Sequence, residues 1–344
     1  MRALRKDGPN DGLALVEIDQ PRPGPGELLV RVGYAGICGT DLSIVQWAPY
    51  IRPFVALPRT LGHEFVGTVE AVGPDTSIPV GTRLTADTDG GCGHCRWCRR
   101  GARHACERQS RIGTQRDGAL AEFVVVPERS VYSLPAAVDD RVACLVEPFA
   151  AAVHAVEQLP MLVGRSAAVI GPGPVGLLAG VALEEAGCGP VLVVGLPEDT
   201  DRLRISERLG FDAVQTAEAV DRARTVTPLE GVDVVVDAVG SASSLMLAAN
   251  MARFGGAISV VGLGPVGEVD VSRLVSKELT VTGSWRRLPT TWDRTLNIAA
   301  RRPDLADLVD GLYGIDDHEA AFAALGRRAH LKTAIRVSER RRHQ

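Results

Sequence analysis

Apolar and polar residues alternate along 13–20 and 27–34, which predicts two half-buried strands joined through the proline- and glycine-rich 21–26. The stretch 47–58 carries three prolines and several aromatics and reads as loop. Short β segments are predicted at 65–72, 81–86 and 119–127, so residues 1–145 read as an irregular, glycine-rich, largely antiparallel β domain. Residues 142–156 hold Glu147-Pro148, followed by an alanine-rich helical run ending near Gln158.

From Ser166 the pattern changes. Continuous apolar runs at 167–170, 191–194, 232–236, 257–261 and 279–281 alternate with helical segments, which predicts buried parallel strands in a doubly wound α/β sheet. The last segment, 291–337, reads as helical and then as a strand at 332–337 that returns to the first domain, before a basic tail at 339–344 expected to fray. The predicted division is a β-rich domain of 1–150 with 291–344 and an α/β domain of 151–290, as a 344-residue chain is long for a single core.

Composition narrows the classes. Hydrophobic content of 45% and a formal charge of −4 describe an ordinary globular chain with no general pull toward nucleic acid or anionic lipid. No apolar run is long enough to span a bilayer, and residues 1–10 lack the apolar core of a signal peptide, so a cytoplasmic protein is expected. Seven cysteines, an odd number, fit a reducing compartment better than a disulfide framework.

Four of the seven fall within fifteen residues, as Cys92-Gly93-His94-Cys95-Arg96-Trp97-Cys98 and then Cys106. Thiolates at that spacing close a tetrahedron around zinc and leave no place for water, the pattern of a structural site. A nucleic-acid-binding zinc module is the rival, because Arg96, Arg99, Arg100, Arg103, Arg108 and Arg111 surround the cluster. The gap of seven is short for a zinc ribbon, and the arginines read as a solvated face.

A second set is mixed. Gly36-Ile37-Cys38-Gly39-Thr40-Asp41 and Gly62-His63-Glu64 supply thiolate, imidazole and carboxylate, the three ligand types of an open catalytic zinc site. Thr40 sits close enough for its hydroxyl to meet a substrate oxygen, and Asp41 is placed to accept the second ring N–H of His63. Glu147 reads either as a first-turn carboxylate favoured by a helix dipole or as a third ligand brought back by the fold.

The run Gly171-Pro172-Gly173-Pro174-Val175-Gly176 follows a predicted strand and opens a predicted helix, the setting of the dinucleotide fingerprint G-x-G-x-x-G. Where the second strand ends, an acidic residue would hold the adenosine ribose of NAD; this chain has Gly195 followed by Leu196-Pro197-Glu198-Asp199. Gly195 removes the carboxylate that excludes NADP, while Glu198, Asp199 and Asp201 would repel a phosphate. Arg202 or Arg204 would have to reach back, and the balance leans slightly to NAD.

With these motifs in order, the chain resembles the zinc-dependent medium-chain alcohol dehydrogenases over nearly its full length. Cys38 to Asp41, Trp47, Leu61-Gly62-His63-Glu64-Phe65-Val66-Gly67 and Val146-Glu147-Pro148-Phe149 resemble the threonine, polyol and sugar dehydrogenase branch. The resemblance implies a GroES-like catalytic domain and a Rossmann coenzyme domain. It implies two zincs: a catalytic one on Cys38, His63 and Glu147 with Glu64 exchanging, and a structural one on Cys92, Cys95, Cys98 and Cys106. It further implies Thr40 as proton relay, Asp41 as the partner of His63, and a homodimer or homotetramer paired through the strand near 279–281.

The reaction implied is reversible oxidation of a secondary alcohol, a polyol, sugar or amino alcohol, to a ketone with NAD or NADP. Alternatives are L-threonine 3-dehydrogenase, an NADPH-dependent carbonyl reductase, and a non-catalytic dinucleotide binder with structural zinc alone. Ser43 departs from the family, where many members carry histidine, which weakens the threonine reading. Cys144 reads as a small buried hydrophobe, and Trp47, Tyr50, Phe54 and Trp285 as candidate pocket residues.

Overall fold

The computed structural model describes residues 1–338, so the tail expected to fray lies outside the described residues. Two compact units emerge: Met1–Glu147 with Leu288–Gln344, and Pro148–Arg287.

The first unit begins with strands β1 (Arg2–Lys6), β2 (Ala14–Glu17) and β3 (Glu27–Gly36), then helix α1 (Gly39–Val45). Strands β4 (Arg59–Thr60), β5 (Glu64–Val72) and β6 (Arg83–Ala86) precede the short helix α2 (Arg96–Arg99), and β7 (Phe123–Pro127) and β8 (Val131–Ser133) follow it. The strand expected over 119–127 starts only at Phe123; upstream of it Ala121 makes an isolated bridge to Ala3.

Helix α3 (Asp140–Glu157) corrects the sequence expectation. It runs straight through Pro148 instead of starting beyond it. Glu147 is therefore mid-helix, which removes its reading as a first-turn carboxylate. Residues 142–146 and Phe149 are almost fully buried, and burying that apolar face offsets the hydrogen bond that Pro148 cannot donate.

The second unit is a six-stranded parallel sheet. Its strands are β9 (Ala167–Ile170), β10 (Val191–Gly195), β11 (Asp212–Gln215), β12 (Val232–Asp237), β13 (Ala252–Val260) and β14 (Thr280–Gly283). Helices α4 (Pro174–Glu185), α5 (Thr200–Arg208), α6 (Ala219–Val226), α7 (Ala242–Met251) and α8 (Val271–Ser276) lie between them. The order β11-β10-β9-β12-β13-β14 reverses direction between β9 and β12, the crossing where doubly wound sheets open a ligand crevice at their carboxyl ends. Three continuously buried strands, β9, β10 and β12, explain why their apolar runs were legible; β11, a half-exposed edge of four residues, was not, and β14, expected to be buried, is a largely exposed edge.

The chain then returns to the first unit with α9 (Pro289–Arg301), β15 (Gly311–Gly314), α10 (His318–Gly326) and β16 (Thr333–Arg336). Here β16 pairs antiparallel with the end of β3, and β15 runs parallel beside β16. Strand β3 is the hub of the seven-stranded sheet: β5 flanks one edge, with β7 and β16 sharing the other. No helix among the described residues is long and apolar enough to cross a membrane.

Candidate metal centres and dinucleotide loop

The ligand loop is built by local capping. Cys38 is the residue before α1, with an extended backbone, and the carboxylate of Asp41 reaches back to accept the Cys38 N–H at 2.9 Å. The other Asp41 oxygen accepts the Gly62 N–H at 3.1 Å, tying the first loop to the second. Asp41 is fully buried, and it stands 3.6 Å from His63 Nδ1, an ion-pair distance longer than a hydrogen bond. Two backbone donors therefore share the Asp41 carboxylate with the imidazole, which the sequence reading had taken as its partner. Burial disfavours a charged ring, yet Asp41 and Cys38 outweigh it and lift the His63 pKa well above the usual value. Burial likewise works against the Asp41 anion, and His63 with the two N–H donors holds its pKa low.

Strand register does the rest. Gly36, at the end of β3, pairs with Glu64, at the start of β5, so Cys38 and His63 leave adjacent strands side by side. Ligand atoms of Cys38, His63 and Glu64 all lie within 4.8 Å of one another. Glu147 stands outside that set. It is buried, and its Oε1 accepts the Thr88 hydroxyl at 2.9 Å. It is close enough to push the Glu64 pKa upward along with burial, against the opposing pull of Lys332. Thr40 is half-buried in the first turn of α1. Cys144 is fully buried, which pushes its thiol far up and makes it a poor ligand.

Two side chains near this set were not singled out from sequence: Lys332, whose ammonium contacts Glu64 Oε2, and Thr88. A lone lysine at the head of an apolar strand was the available signal for the first.

The second cluster brings together Cys92, Cys95, Cys98 and Cys106. The Sγ atoms of Cys92 and Cys98 lie 4.0 Å apart, and those of Cys95 and Cys106 lie 3.9 Å apart. A tetrahedron with Zn–S bonds of about 2.3 Å has edges of about 3.8 Å, so the sulfurs fit zinc and are far too distant for disulfides. Backbone N–H groups of Cys92, Cys95 and Arg108 point at sulfur from 3.2–3.3 Å. Such a donor from Cys98 leads the influences that hold the Cys95 thiol at about 6. Among the arginines, Arg96 pairs with Glu107, Arg111 with Asp89, and Arg103 donates to the Arg129 carbonyl.

In the second unit, Gly171 to Gly176 joins β9 to α4, with Gly173 capping the helix and Pro174 and Val175 in its first turn. A Cβ on Gly176 would fall 1.9 Å from the Gly171 carbonyl oxygen, so only glycine allows this helix to sit so close to its strand. The neighbouring loop after β12 is shaped by buried Asp237, which accepts the N–H groups of Val239 and Gly240 at 2.9 Å and the Ser244 hydroxyl at 2.8 Å.

At the end of β10, a side chain on Gly195 would press on Pro172, Asp199 and Leu203. Asp199 is turned inward and accepts the Leu196 N–H at 3.0 Å, and Asp201 pairs with Arg204. Arg202 extends toward the glycine loop: a Cβ on Gly173 would lie 3.9 Å from its Nη1.

Comparisons with known proteins agree in extent. The alcohol dehydrogenase GroES-like domain matches residues 24–136, and the zinc-binding dehydrogenase family matches 174–301. The L-threonine 3-dehydrogenase of Streptomyces avermitilis is 37% identical over 331 residues, covering 94% of this chain and 95% of that protein. The solved 2R,3R-butanediol dehydrogenase of Bacillus subtilis is 29% identical with a TM-score of 0.87, covering 98% of this chain and 99% of the other. A zinc-binding dehydrogenase from Sinorhizobium meliloti 1021, solved bound to NADP, is 27% identical with a TM-score of 0.87, covering 97% and 98%.

Proposed function

The chain belongs to the zinc-dependent medium-chain alcohol dehydrogenases, and on that premise we propose that Cys38, His63 and a neighbouring carboxylate hold the metal at which its alcohol is oxidised. It is an oxidoreductase that converts a secondary alcohol to a ketone, with zinc and a nicotinamide cofactor. The observation that carries the site is the convergence of half-buried Cys38 with buried His63 and Glu64 from two loops joined by Asp41. When bound, zinc would supply Lewis-acid polarisation of the substrate oxygen, and the nicotinamide would supply the hydride acceptor.

The chain's own groups divide the remaining work. Asp41 holds both ligand loops by their backbones and stands beside the His63 ring, keeping Nε2 free to ligate. Thr40 is the hydroxyl that takes the alcohol proton outward, since a hydroxyl both donates and accepts. Beyond it on the same face of α1, Ser43 donates to the Gly39 carbonyl and bonds the exposed Tyr50 hydroxyl at 2.5 Å. That pair occupies the outer position where relatives carry histidine. Glu147 serves as third ligand, steadied by Thr88.

Four finer points belong to the same proposal. The second zinc, on Cys92, Cys95, Cys98 and Cys106, makes two per chain. The catalytic domain comprises 1–150 and 291–344, and the coenzyme domain 151–290. NAD is the cofactor, a choice now resting on exposed Glu198, because Asp199 and Asp201 are engaged elsewhere; Arg202 is the cation that would meet a 2′-phosphate instead. The chain assembles as a dimer or tetramer through β14, whose outer edge pairs with no strand among the described residues and is largely exposed.

The experiment is a substrate panel of threonine, sugars, polyols and simple secondary alcohols, each with NAD and NADP, on wild type and Cys38→Ala. Turnover abolished in the variant, with the fold and nucleotide binding kept, is the expected result. Normal turnover there would remove the metal mechanism. L-threonine is the second reading of the substrate, favoured by the threonine 3-dehydrogenases among the relatives and opposed by Ser43.

A further inference from the structure

Of the arginines around the four-cysteine lobe, Arg96, Arg99, Arg100 and Arg108 are exposed, as a solvated face requires. Arg111 departs from them. Its side chain is 16% exposed, and its Nε lies 3.4 Å from Oδ1 of Asp89, which is 2% exposed. Its guanidinium also lies over the ring of Phe54, 5.8 Å from the centroid. Taking such an ion pair out of water costs desolvation that two apolar side chains of the same volume would avoid.

Three contacts place this pair against the candidate metal set. The Ile112 N–H reaches the Thr88 carbonyl at 3.4 Å, so residues 111–112 run beside 88–89, and the Thr88 hydroxyl donates to Glu147. Two residues beyond Arg111, Gly113 packs on the residue before His63: a Cβ there would fall 2.7 Å from the Gly62 carbonyl oxygen. On the third side, Phe54 belongs to the 47–58 loop, whose Tyr50 bonds Ser43 in α1, the helix that carries Thr40. The segments bearing Arg111, Asp89 and Phe54 are thus each tied to an element of the candidate site.

We propose that Arg111 sets the substrate class, receiving an oxyanion, carboxylate or phosphate, that the secondary alcohol carries. This rests on the reading of Cys38, His63 and a carboxylate as the place where the alcohol is oxidised. A planar guanidinium matches either oxyanion through two parallel N–H donors, a geometry that a lysine ammonium does not offer. Asp89 engages the group at Nε and Phe54 lies on one face of it, which fixes its plane before substrate arrives and leaves little side-chain entropy to lose. Small-molecule pockets are mostly apolar with a few placed polar groups, so one held arginine beside the metal set selects by charge. A neutral alcohol of the same size displaces water there without making a charge-assisted bond in its place.

The test offers the zinc-loaded protein matched pairs of alcohols. For carboxylate these are β-hydroxybutyrate and the butanediol of the same chain; for phosphate, propylene glycol phosphate and propylene glycol. Wild type is expected to favour the anionic member of at least one pair by about tenfold or more in kcat/KM, and the pair that shows it identifies the oxyanion. Arg111→Lys keeps the charge and loses the fork. It should raise KM for that substrate by about tenfold and leave kcat and the neutral members within about twofold. Removing both charges together, as Asp89→Asn with Arg111→Gln, should abolish the preference without stranding a buried carboxylate. If that double variant does not fold, Arg111→Lys decides alone. Equal or poorer use of both anionic members by wild type overturns the inference. So does a preference that survives the substitutions, or a loss that falls alike on charged and neutral alcohols. Turnover that persists in Cys38→Ala would instead sink the reading beneath it, whichever way the charge preference falls.

Discussion

The two candidate metal clusters of the first unit share a chemistry and differ in construction. The four-cysteine lobe is assembled from fifteen consecutive residues and presents sulfur alone, served by backbone N–H donors. The Cys38 cluster draws on β3, β5, α3 and β16, mixes three donor types, and packs Asp41, Glu147 and Lys332 around them. A closed sulfur tetrahedron is saturated, and its binding energy can only stabilise the fold. An unsaturated, mixed set with charges held in reserve can exchange a ligand, which catalysis requires.

Breaking each cluster in turn should expose that difference. The largest effect is expected for Cys38→Ala, with turnover reduced by at least about a thousandfold and zinc per chain falling from about two to about one. Its melting temperature should shift little; steady-state kinetics with metal analysis and calorimetry check all three. Cys98→Ala should do the reverse. Loss of the lobe's zinc is expected to cost about 3 kcal/mol and lower the melting temperature by about 10 °C, with proteolysis appearing within 92–106.

Gly36→Ala probes the seam that only the Cys38 cluster has. Its added methyl group meets the Glu64–Lys332 pair, and the strain is expected to cost about 2 kcal/mol in denaturant unfolding. The same substitution at Gly39, a residue of α1 with open space around it, should leave stability unchanged or raise it by up to about 1 kcal/mol.

A control lies outside both clusters, where neither turnover nor metal is expected to respond. Asp233 is opposed by burial, yet Arg253, Ser166 and Arg165 hold its pKa at about 2. A carboxylate lowered in the folded state adds stability that is fully present above the unfolded value, near 4, and lost as pH falls toward 2. Asp233→Asn should therefore remove about 2 kcal/mol at neutral pH and flatten the acid limb of the stability curve between pH 4 and 2. Zinc content should not change in that variant.

The parts visible before the structure were those written in short windows. The four-cysteine spacing, the glycine fingerprint and the apolar runs of β9, β10 and β12 each carry their meaning within twenty residues. Periodicity failed where burial was partial, at β11 and β15, and where a local rule was overridden, as at Pro148 inside α3. It also read Asp199 as an exposed charge, although that carboxylate folds back to cap its own turn.

Sequence alone therefore determined the family, the two-part α/β architecture and the thiol cluster, because ligand spacing and strand alternation are properties of neighbouring residues. Tertiary structure decided that Glu64 faces Lys332, that Glu147 leans on Thr88, and that Asp41 serves two backbones before one ring. Apart from the local bond of Asp41 to Cys38, those pairings join residues from about twenty to more than two hundred positions apart. Strand register and burial set them, and no window along the chain contains both partners of any such pair.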